Sequence, residues 1–252
     1  MSAAPAVLPA IRITALGKRF GADGPLVLDD VTLTIQPGEF VCLLGASGCG
    51  KSTLLNIIAG LDAPSTGTVT VASGSAAVMF QDAALFPWLT AGRNVELALK
   101  LRGVPRDKRR GKALELLDIV NLADAAAKRP HELSGGMRQR VALARSLAQD
   151  RKVLLMDEPF AALDAITRDL LHEELERVWR ETGRTIVFVT HNVREAARLG
   201  QRVLLMSSRP GRIANEWRLA DDGPRRIESP EVSRLSIEIT EQLRREIRRN
   251  AA

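Results

Sequence analysis

The segment 45–53 constrains what this chain can fold into more than any other, because its sequence GASGCGKST fits the pattern GxxxxGK[ST]. In that pattern a glycine-rich turn directs successive backbone N–H groups into one concavity, and the following helix directs the positive end of its dipole there. A polyphosphate suits such a site, whereas the alternative is a glycine turn that only joins a strand to a helix. The residues of this phosphate loop are Gly45, Ala46, Ser47, Gly48, Cys49, Gly50, Lys51, Ser52 and Thr53.

The sequence on both sides of the phosphate loop favours nucleotide binding. The apolar run 40–44 predicts a strand buried on both faces, and the apolar spacing over 54–59, followed by Gly60, predicts a buried helix. Strand, loop and helix thus occur in the order that a nucleotide site requires. We expect Lys51 to reach the outer phosphates as a point charge and Ser52 to offer its hydroxyl to a magnesium ion.

Composition and charge restrict the class of protein. The 252 residues suffice for one large core or for a core domain with a smaller lobe. A hydrophobic fraction of 45% and a charged fraction of 26% lie in the usual range for globular proteins. The net charge of +6 is concentrated in the arginine-rich segments 106–112 and 244–249. Nucleic acid or an anionic membrane could bind them, but solvated helix faces are the preferred interpretation.

The cysteine usage and the N-terminal sequence predict that the protein lies in the reducing cytoplasm. Cys42 and Cys49 are the only cysteines, which suggests neither a disulfide framework nor a four-ligand zinc site. The first ten residues lack a basic segment followed by an apolar core, so we expect no secretory signal. The longest uncharged stretch, 63–81, is rich in Ser, Thr and Gly and is not expected to enter a membrane. Membrane association is therefore expected only through a partner.

Hydrophobic periodicity predicts an α/β protein with a helical insertion. Apolar and polar residues alternate within 11–35 and over 68–71, which is typical of antiparallel strands, and 76–80 predicts a buried strand. The region 90–149 has helical spacing. In the last third, strands alternate with helices, as in a parallel sheet covered by helices. The expected strands there are 153–156, 185–190 and 203–206, and the expected helices are 165–180, 193–199 and an amphipathic surface helix within 230–249.

Two adjacent carboxylates follow the predicted strand 153–156. Asp157 and Glu158 would lie at the carboxyl edge of the sheet, where open parallel sheets bind their ligands. Asp157 can hold a magnesium ion, directly or through water, while Glu158 can orient and deprotonate an attacking water. Such a pair alone would be a solvated strand end. Together with the phosphate loop it predicts a hydrolytic site.

A set of motifs in this order resembles the ATP-binding subunit of an ABC transporter. The motifs are LSGGMRQ at 133–139 (the signature segment), DEP at 157–159, ALD at 162–164, and His191. The likeness runs from about residue 11 to residue 213. It implies a phosphate-loop NTPase core with a mostly parallel sheet, an antiparallel β subdomain, and a helical, signature-bearing subdomain at about 90–149. We expect an N-terminal tail at 1–10, the ATPase domain at 11–220, and a C-terminal extension at 221–252.

The resemblance also implies roles for single residues. Phe20 takes the adenine-stacking position, although its local pattern alone favours a core residue. Gln81 would couple magnesium and the attacking water to the helical lobe, and His191 would contact the γ-phosphate. His131 and His172 match no functional position and are expected to be ordinary surface residues. The implied small ligands are ATP and Mg²⁺, and the signature residues that would contact ATP are Ser134, Gly135, Gly136 and Met137.

The signature segment has its own physical rationale. Ser134 and two glycines precede the helical run 139–148, which would provide free N–H groups and a dipole end suited to a phosphate. The family pairs two subunits head to tail, so that the signature of one covers the ATP of the other. One copy of each motif here implies a homodimer, with Asp164 near the second subunit. The resemblance further implies membrane permease subunits, an extracytoplasmic solute-binding protein as an indirect partner, no nucleic acid, and a peripheral location on the cytoplasmic face of the inner membrane.

Within the family, three segments resemble the branch that imports nitrate, aliphatic sulfonates, taurine or related compounds. They are 80–90 (FQDAALFPWLT), 157–168 and 208–213. Residues 85–88 could form a buried apolar loop, but their position after Gln81 favours a contact surface for the membrane subunit. Met137, Phe20 and Asn192 depart from the commonest pattern, in which Gln, Tyr and Asp are frequent. We expect these changes to modify affinity or rate without abolishing hydrolysis.

Two other functions share the core motifs. An ABC ATPase that acts on DNA or in translation could use the basic segment 244–249, but the sequence has no long coiled-coil insertion and no aromatic-rich basic groove. A regulatory protein that binds ATP without hydrolysing it would not need Glu158. Both alternatives therefore rank below a transport ATPase.

Overall fold

The computed structural model describes residues 8–21, 23–219, 223 and 225–249, which form nine strands and seven α-helices. The strands are β1 (Ile11–Arg19), β2 (Leu26–Ile35), β3 (Phe40–Gly45), β4 (Thr66–Val71), β5 (Ala77–Met79), β6 (Val153–Asp157), β7 (Thr185–Val189), β8 (Arg202–Met206) and β9 (Ile213–Arg218). The helices are α1 (Lys51–Ile58), α2 (Ala91–Leu101), α3 (Arg106–Ile119), α4 (Gly135–Ala148), α5 (Ala165–Thr182), α6 (Val193–Leu199) and α7 (Pro230–Arg249), with short 3₁₀ turns at Ala123–Ala125 and Pro130–Glu132.

A six-stranded sheet in the order β5-β6-β7-β3-β8-β9 forms the centre of the fold. Its first five strands are parallel and β9 is antiparallel. β3 is buried along its whole length, as expected for a strand covered on both faces. Because β3 pairs with β7, and β7 with β6, the carboxyl ends of these three strands lie side by side. The phosphate loop, Glu158 and His191 lie at or just after those ends, and Asp157 is the last residue of β6.

A smaller antiparallel sheet, in the order β2-β1-β4, covers one face of the central sheet. Its inward residues, among them Ile11 and Ile35, share a core with Val41 and Leu43 of β3 and with Leu54 of α1. The alternation of buried and exposed residues in β2 agrees with the predicted half-exposed strands. This sheet brings the residue after β1, Phe20, to the side of the fold that carries α1.

The helices α2, α3 and α4 form a lobe that is continuous with the core on the other face of the sheet. Val95 and Leu99 of α2, Leu117 of α3, and Val141 and Leu147 of α4 are all buried in this core. The lobe lies where the sequence predicts helices. Among the described helices, none is both long and apolar enough to span a membrane.

The structure differs from the sequence prediction at the end of the sheet. β9 was not predicted, and it pairs antiparallel with β8 after the turn at 208–211. The helix α7 has the expected bounds, with Val232 and Ile239 buried, whereas Ile247 is 47% exposed. Residues 1–7 and 220–222, on which the expected domain boundaries depend, lie outside the described part, so these boundaries stay a prediction.

Candidate active site

The phosphate loop connects the end of β3 to the start of α1. Gly48 and Gly50 have φ angles of 76° and 97°, a left-handed region that strains residues with a side chain. A Cβ at Gly50 would also lie 2.6 Å from Cδ2 of Leu28. α1 begins at Lys51, three residues before the predicted start, so its first N–H groups belong to the loop. The backbone therefore forms the anion-binding turn that the sequence predicts.

Lys51 and Cys49 both point into the loop. The Lys51 side chain is buried, and its Nζ donates to the carbonyl oxygens of Gly45 at 2.9 Å and Ala46 at 3.0 Å. Cys49 Sγ lies 3.8 Å from the same Nζ. Burial raises the pKa of the Cys49 thiol, although Lys51 partly opposes this effect, so the thiol is neutral. The one positive charge at the centre of the loop therefore comes from Lys51.

Ser52 and Asp157 meet beside the loop. The Ser52 hydroxyl donates a hydrogen bond to the Asp157 carboxylate. Burial raises the pKa of Asp157, Glu158 adds to this effect, and Ser52 and Lys51 oppose it. Bound Mg²⁺ usually has one or two carboxylate ligands, and takes the rest from water and substrate phosphates. The Ser52–Asp157 pair fits that requirement, and the described residues contain no cluster of three or more His, Cys, Asp or Glu that could hold a metal alone.

Glu158 and His191 form the second pair at the same sheet edge. Glu158 has a φ of 45°, and its backbone N–H donates to the carbonyl of Val189 at 2.9 Å. This places its carboxylate Oε2 2.9 Å from Nδ1 of His191. The His191 side chain is 64% exposed and that of Glu158 is 25% exposed, so both are accessible to a ligand. A carboxylate that can accept a proton is thus held next to an imidazole that can donate hydrogen bonds.

The signature residues occupy the first turn of α4. Ser134 is the N-cap and accepts a hydrogen bond from the Met137 N–H at 3.2 Å, so the helix begins at Gly135, before the expected start. A Cβ at Gly136 would lie 2.4 Å from Cγ2 of Thr167, so the glycine is required for this close packing. Among the described residues, no hydrogen bond connects this turn to the phosphate loop. One chain therefore carries two separate glycine-rich helix N-termini, at α1 and at α4.

Gln81 is joined to α4 through its main chain. Gln139 Nε2 donates to the Gln81 carbonyl at 2.7 Å, and the Arg145 guanidinium donates to the carbonyls of Ala83 and Ala84, each at 2.7 Å. Two side chains of one helix therefore hold the segment 81–84. Gln139 was expected only as the last residue of the signature segment, and Arg145 was not singled out, because the partners of both side chains are backbone atoms that leave no mark in the sequence.

Phe20 is 52% exposed and lies just after β1, which contradicts the core interpretation that its local pattern favours. The Lys18 ammonium lies 4.7 Å from the centre of its ring and also donates to Asp62 at 2.6 Å. The aromatic ring is thus held at the surface by a fixed cation. An exposed, positioned ring agrees with the stacking role that the resemblance implies.

The expectation that His172 is a surface residue was wrong. His172 is 1% exposed, because α5 places it on the same side as the buried Leu171, Leu175 and Trp179. The helical spacing of those apolar residues is the signal that could have revealed its burial. His131, in contrast, is exposed as expected.

The phosphate loop, the two acid-containing pairs and the capped glycine turn together define an ATP-hydrolysing cassette. The family model for ABC transporters matches residues 28–161, and the chain belongs to this family. The chain is 49% identical over 215 residues to the nitrate import ATP-binding protein NrtD of Synechocystis sp., and the aligned region covers 82% of this chain and 81% of that protein. It is also 44% identical over 219 residues to the taurine import ATP-binding protein TauB of Roseobacter denitrificans, and the aligned region covers 83% of this chain and 82% of that protein.

Solved structures agree with this assignment. The dimeric ATP-binding cassette MJ0796, solved after hydrolysis with ADP and Pi, is 35% identical, with a TM-score of 0.72 over 83% of this chain and 99% of that chain. The cassette cbiO1 from Clostridium perfringens is 26% identical, with a TM-score of 0.76 over 83% of this chain and 88% of that chain. The predicted fold class is confirmed, and the chain is an ATPase.

Proposed function

We propose that this chain energises an importer for nitrate, taurine, an aliphatic sulfonate or a related small compound, as a peripheral subunit on the cytoplasmic face of the membrane. The import names of its relatives support the solute class. The observation that carries the catalytic assignment is the Glu158–His191 pair, whose atoms lie 2.9 Å apart at the sheet edge that also holds Ser52 and Asp157.

The geometry supports a direct hydrolysis reaction. The loop N–H groups and Lys51 hold the phosphates of ATP, and Glu158 accepts a proton from the water that attacks the γ-phosphorus. As the new O–P bond forms, the bond from the γ-phosphorus to the bridging oxygen breaks, and ADP leaves. His191 orients Glu158 and donates to the γ-phosphate oxygens. When bound by Ser52, Asp157 and Gln81, Mg²⁺ would supply charge neutralisation.

Hydrolysis would require a second copy of the chain. The signature turn has a capped helix end with free N–H groups, but it makes no hydrogen bond to the phosphate loop among the described residues. In a head-to-tail pair, Ser134 and the adjacent glycines would cover the ATP on the other subunit. Asp164, which caps α5 by accepting from the Thr167 N–H at 2.9 Å, would lie in the contact segment. The dimeric state of the MJ0796 cassette supports the pairing of two copies.

A groove on the helical lobe is the proposed docking site for the permease. This docking groove has a volume of about 600 Å³ and is lined by Phe86, Leu97, Leu101 and Arg145, among others. Leu101 is 82% exposed and the adjacent Trp88 is 68% exposed, so apolar surface is available to a partner. Arg145 also holds the carbonyls of the segment that follows Gln81, which connects the groove to the nucleotide site. A solute-binding protein would act on the permease and not on this chain.

Glu158→Gln tests the catalytic assignment. The amide keeps the size of the side chain but cannot accept the proton, so we expect ATP binding to persist, a stable ATP-bound dimer to accumulate, and turnover to fall by about 100-fold or more. Lys51→Ala is the matched control, because it should lose ATP binding and transport together. Unchanged turnover in Glu158→Gln would exclude Glu158 as the base.

Co-purification from detergent-solubilised membranes tests the transport assignment. We expect permease subunits to be recovered with the chain, and the solute of the reconstituted complex to belong to the proposed class. Recovery of nucleic acid in place of a permease would contradict this function.

A further inference from the structure

A buried carboxylate outside the catalytic pair holds the loop that carries His191. Glu195, at 5% exposure, lies in the first turn of α6, after the N-cap Asn192. Its Oε2 accepts a hydrogen bond from the hydroxyl of Thr190, and that hydroxyl oxygen accepts from the Asn192 N–H at 3.0 Å. These bonds involve the residues immediately before and after His191. The backbone position of His191 therefore depends on Glu195.

The other oxygen of Glu195 faces the segment that follows Glu158. Oε1 lies 3.7 Å from Nε of Arg168. The Arg168 guanidinium in turn donates to the carbonyls of Leu163 at 2.6 Å and Phe160 at 3.3 Å. One carboxylate thus connects the two chain segments whose ends carry His191 and Glu158.

His172 holds this carboxylate from α5. Its Nε2 lies 3.1 Å from Oε1 of Glu195, and both side chains are buried. Burial alone would raise the pKa of Glu195, but the hydrogen bonds from His172 and Thr190 and the charges of His172 and Arg168 lower it, so Glu195 is ionised. Within the described part of the chain, His172 Nδ1 has no hydrogen-bond partner, and Asp169 Oδ1 is 3.7 Å away. The only side-chain hydrogen bond of His172 in this part of the chain is directed at Glu195.

We propose that Glu195, held by His172, is a positioning residue for ATP hydrolysis: it fixes the distance between His191 and Glu158 by tying together the segments that carry them. This inference rests on the proposed roles of Glu158 and His191. A shift of about 1 Å in a catalytic group can lower the rate about 100-fold. The connection through Glu195 and His172 therefore matters even though both residues lie outside the catalytic pair.

Two substitutions of similar polarity at position 172 test this proposal. In His172→Gln the amide nitrogen can reach the position of Nε2, whereas in His172→Asn it reaches only the position of Nδ1. We expect kcat of His172→Gln to stay within about threefold of the wild type, and kcat of His172→Asn to fall about 10-fold or more. The KM for ATP should change little in both variants, because the phosphate loop is intact. Equal kcat values in two folded variants would refute the proposal.

Histidine NMR provides a second readout that does not require hydrolysis. The chain has three histidines, so the imidazole signal of His191 can be assigned after His131→Gln and His172→Gln are compared with the wild type. We expect the chemical shifts of the His191 signal to change in His172→Asn and in Glu195→Gln, but not in His172→Gln or His131→Gln. A His191 signal that is the same in all four variants would overturn the positioning role. Turnover that is the same in Glu158→Gln as in the wild type would instead contradict the proposed function.

Discussion

Asn94 is buried at the start of α2, and its side chain holds the loop that forms part of the docking groove. Its Oδ1 accepts from the Phe86 N–H at 2.8 Å, and its Nδ2 donates to the carbonyls of Phe86 and Leu89 at 3.3 Å and of Thr90 at 3.0 Å. Asn94→Ala removes all of these bonds. The Phe86 and Thr90 carbonyls keep other donors, the N–H groups of Leu89 and Asn94, so the loss falls on the Phe86 N–H and the Leu89 carbonyl.

The expected cost follows from these two groups. A buried donor or acceptor without a partner costs about 1–3 kcal/mol, and both groups here are only partly buried, so together they cost about 2–4 kcal/mol. For a domain of this size, Tm changes by about 2–4 °C per kcal/mol, which gives a fall of roughly 5–15 °C. Thermal unfolding of the purified chain measures this fall. We also expect weaker retention of the permease, with the ATP affinity unchanged because the phosphate loop is not involved.

Asn94→Asp is the matched variant of the same size. It keeps the acceptor for the Phe86 N–H, but its carboxylate would face the three carbonyl oxygens, which favours the protonated form and raises its pKa above that of the unfolded chain. Stability then falls as the pH rises through the pKa of the folded state, so the Tm deficit should be larger at pH 8 than at pH 5. An Asn94→Ala protein whose Tm lies within about 2 °C of the wild type would show that these hydrogen bonds do not stabilise the loop.

Three further predictions concern the nucleotide site and its connection to the groove. Asp157→Asn should raise the Tm of the nucleotide-free protein at pH 7 and abolish hydrolysis. Burial raises the pKa of Asp157 in the folded state, so ionisation of this carboxylate lowers the stability of the folded protein as the pH rises. Below about pH 4 the carboxyl group is protonated in both the folded and the unfolded state, so the difference in Tm between Asp157→Asn and the wild type should vanish there. Gly136→Ala should lower ATPase turnover by displacing the first turn of α4 from Thr167, and Thr167→Ser, which removes Cγ2, should restore it; no restoration would contradict the steric cause. Arg145→Lys should lower the solute transported per ATP hydrolysed, because an ammonium cannot span the carbonyls of the segment 81–84 as the guanidinium does.

The parts of the site that follow from contiguous sequence were predicted, and the parts that depend on packing were not. The phosphate loop and the Asp157–Glu158 pair each lie at the end of an apolar strand, so their neighbours along the chain identify their environment. Glu195 is a charged residue in a short helix, and only the fold shows that it is buried next to His172. Its role depends on residues from α5 and from the loop between β7 and α6, and no local pattern records that arrangement.

β9 shows why an edge strand is difficult to predict. In its sequence IANEWR only Ile213 and Trp217 are large apolar residues, and every second residue is exposed. The alternation of apolar and polar residues that indicates a strand is therefore weak. It becomes a strand because the turn at 208–211 returns the chain to the free edge of β8. Trp217 Nε1 then donates to Glu238 of α7 at 2.7 Å. The final helix is thus attached through a strand that sequence periodicity does not reveal.

The position of α4 explains how one chain can connect nucleotide and permease. Its first turn carries the signature, its middle holds the Gln81 carbonyl through Gln139, and Arg145, two turns further on, lines the docking groove. A helix is stiff over this length, so in the proposed dimer a displacement of its first turn by the ATP of the second subunit would move the groove as well. Glu195 connects the opposite part of the site, where His191 follows β7. Closure of the dimer and alignment of the catalytic pair are therefore governed by different contacts, and mutations can separate them.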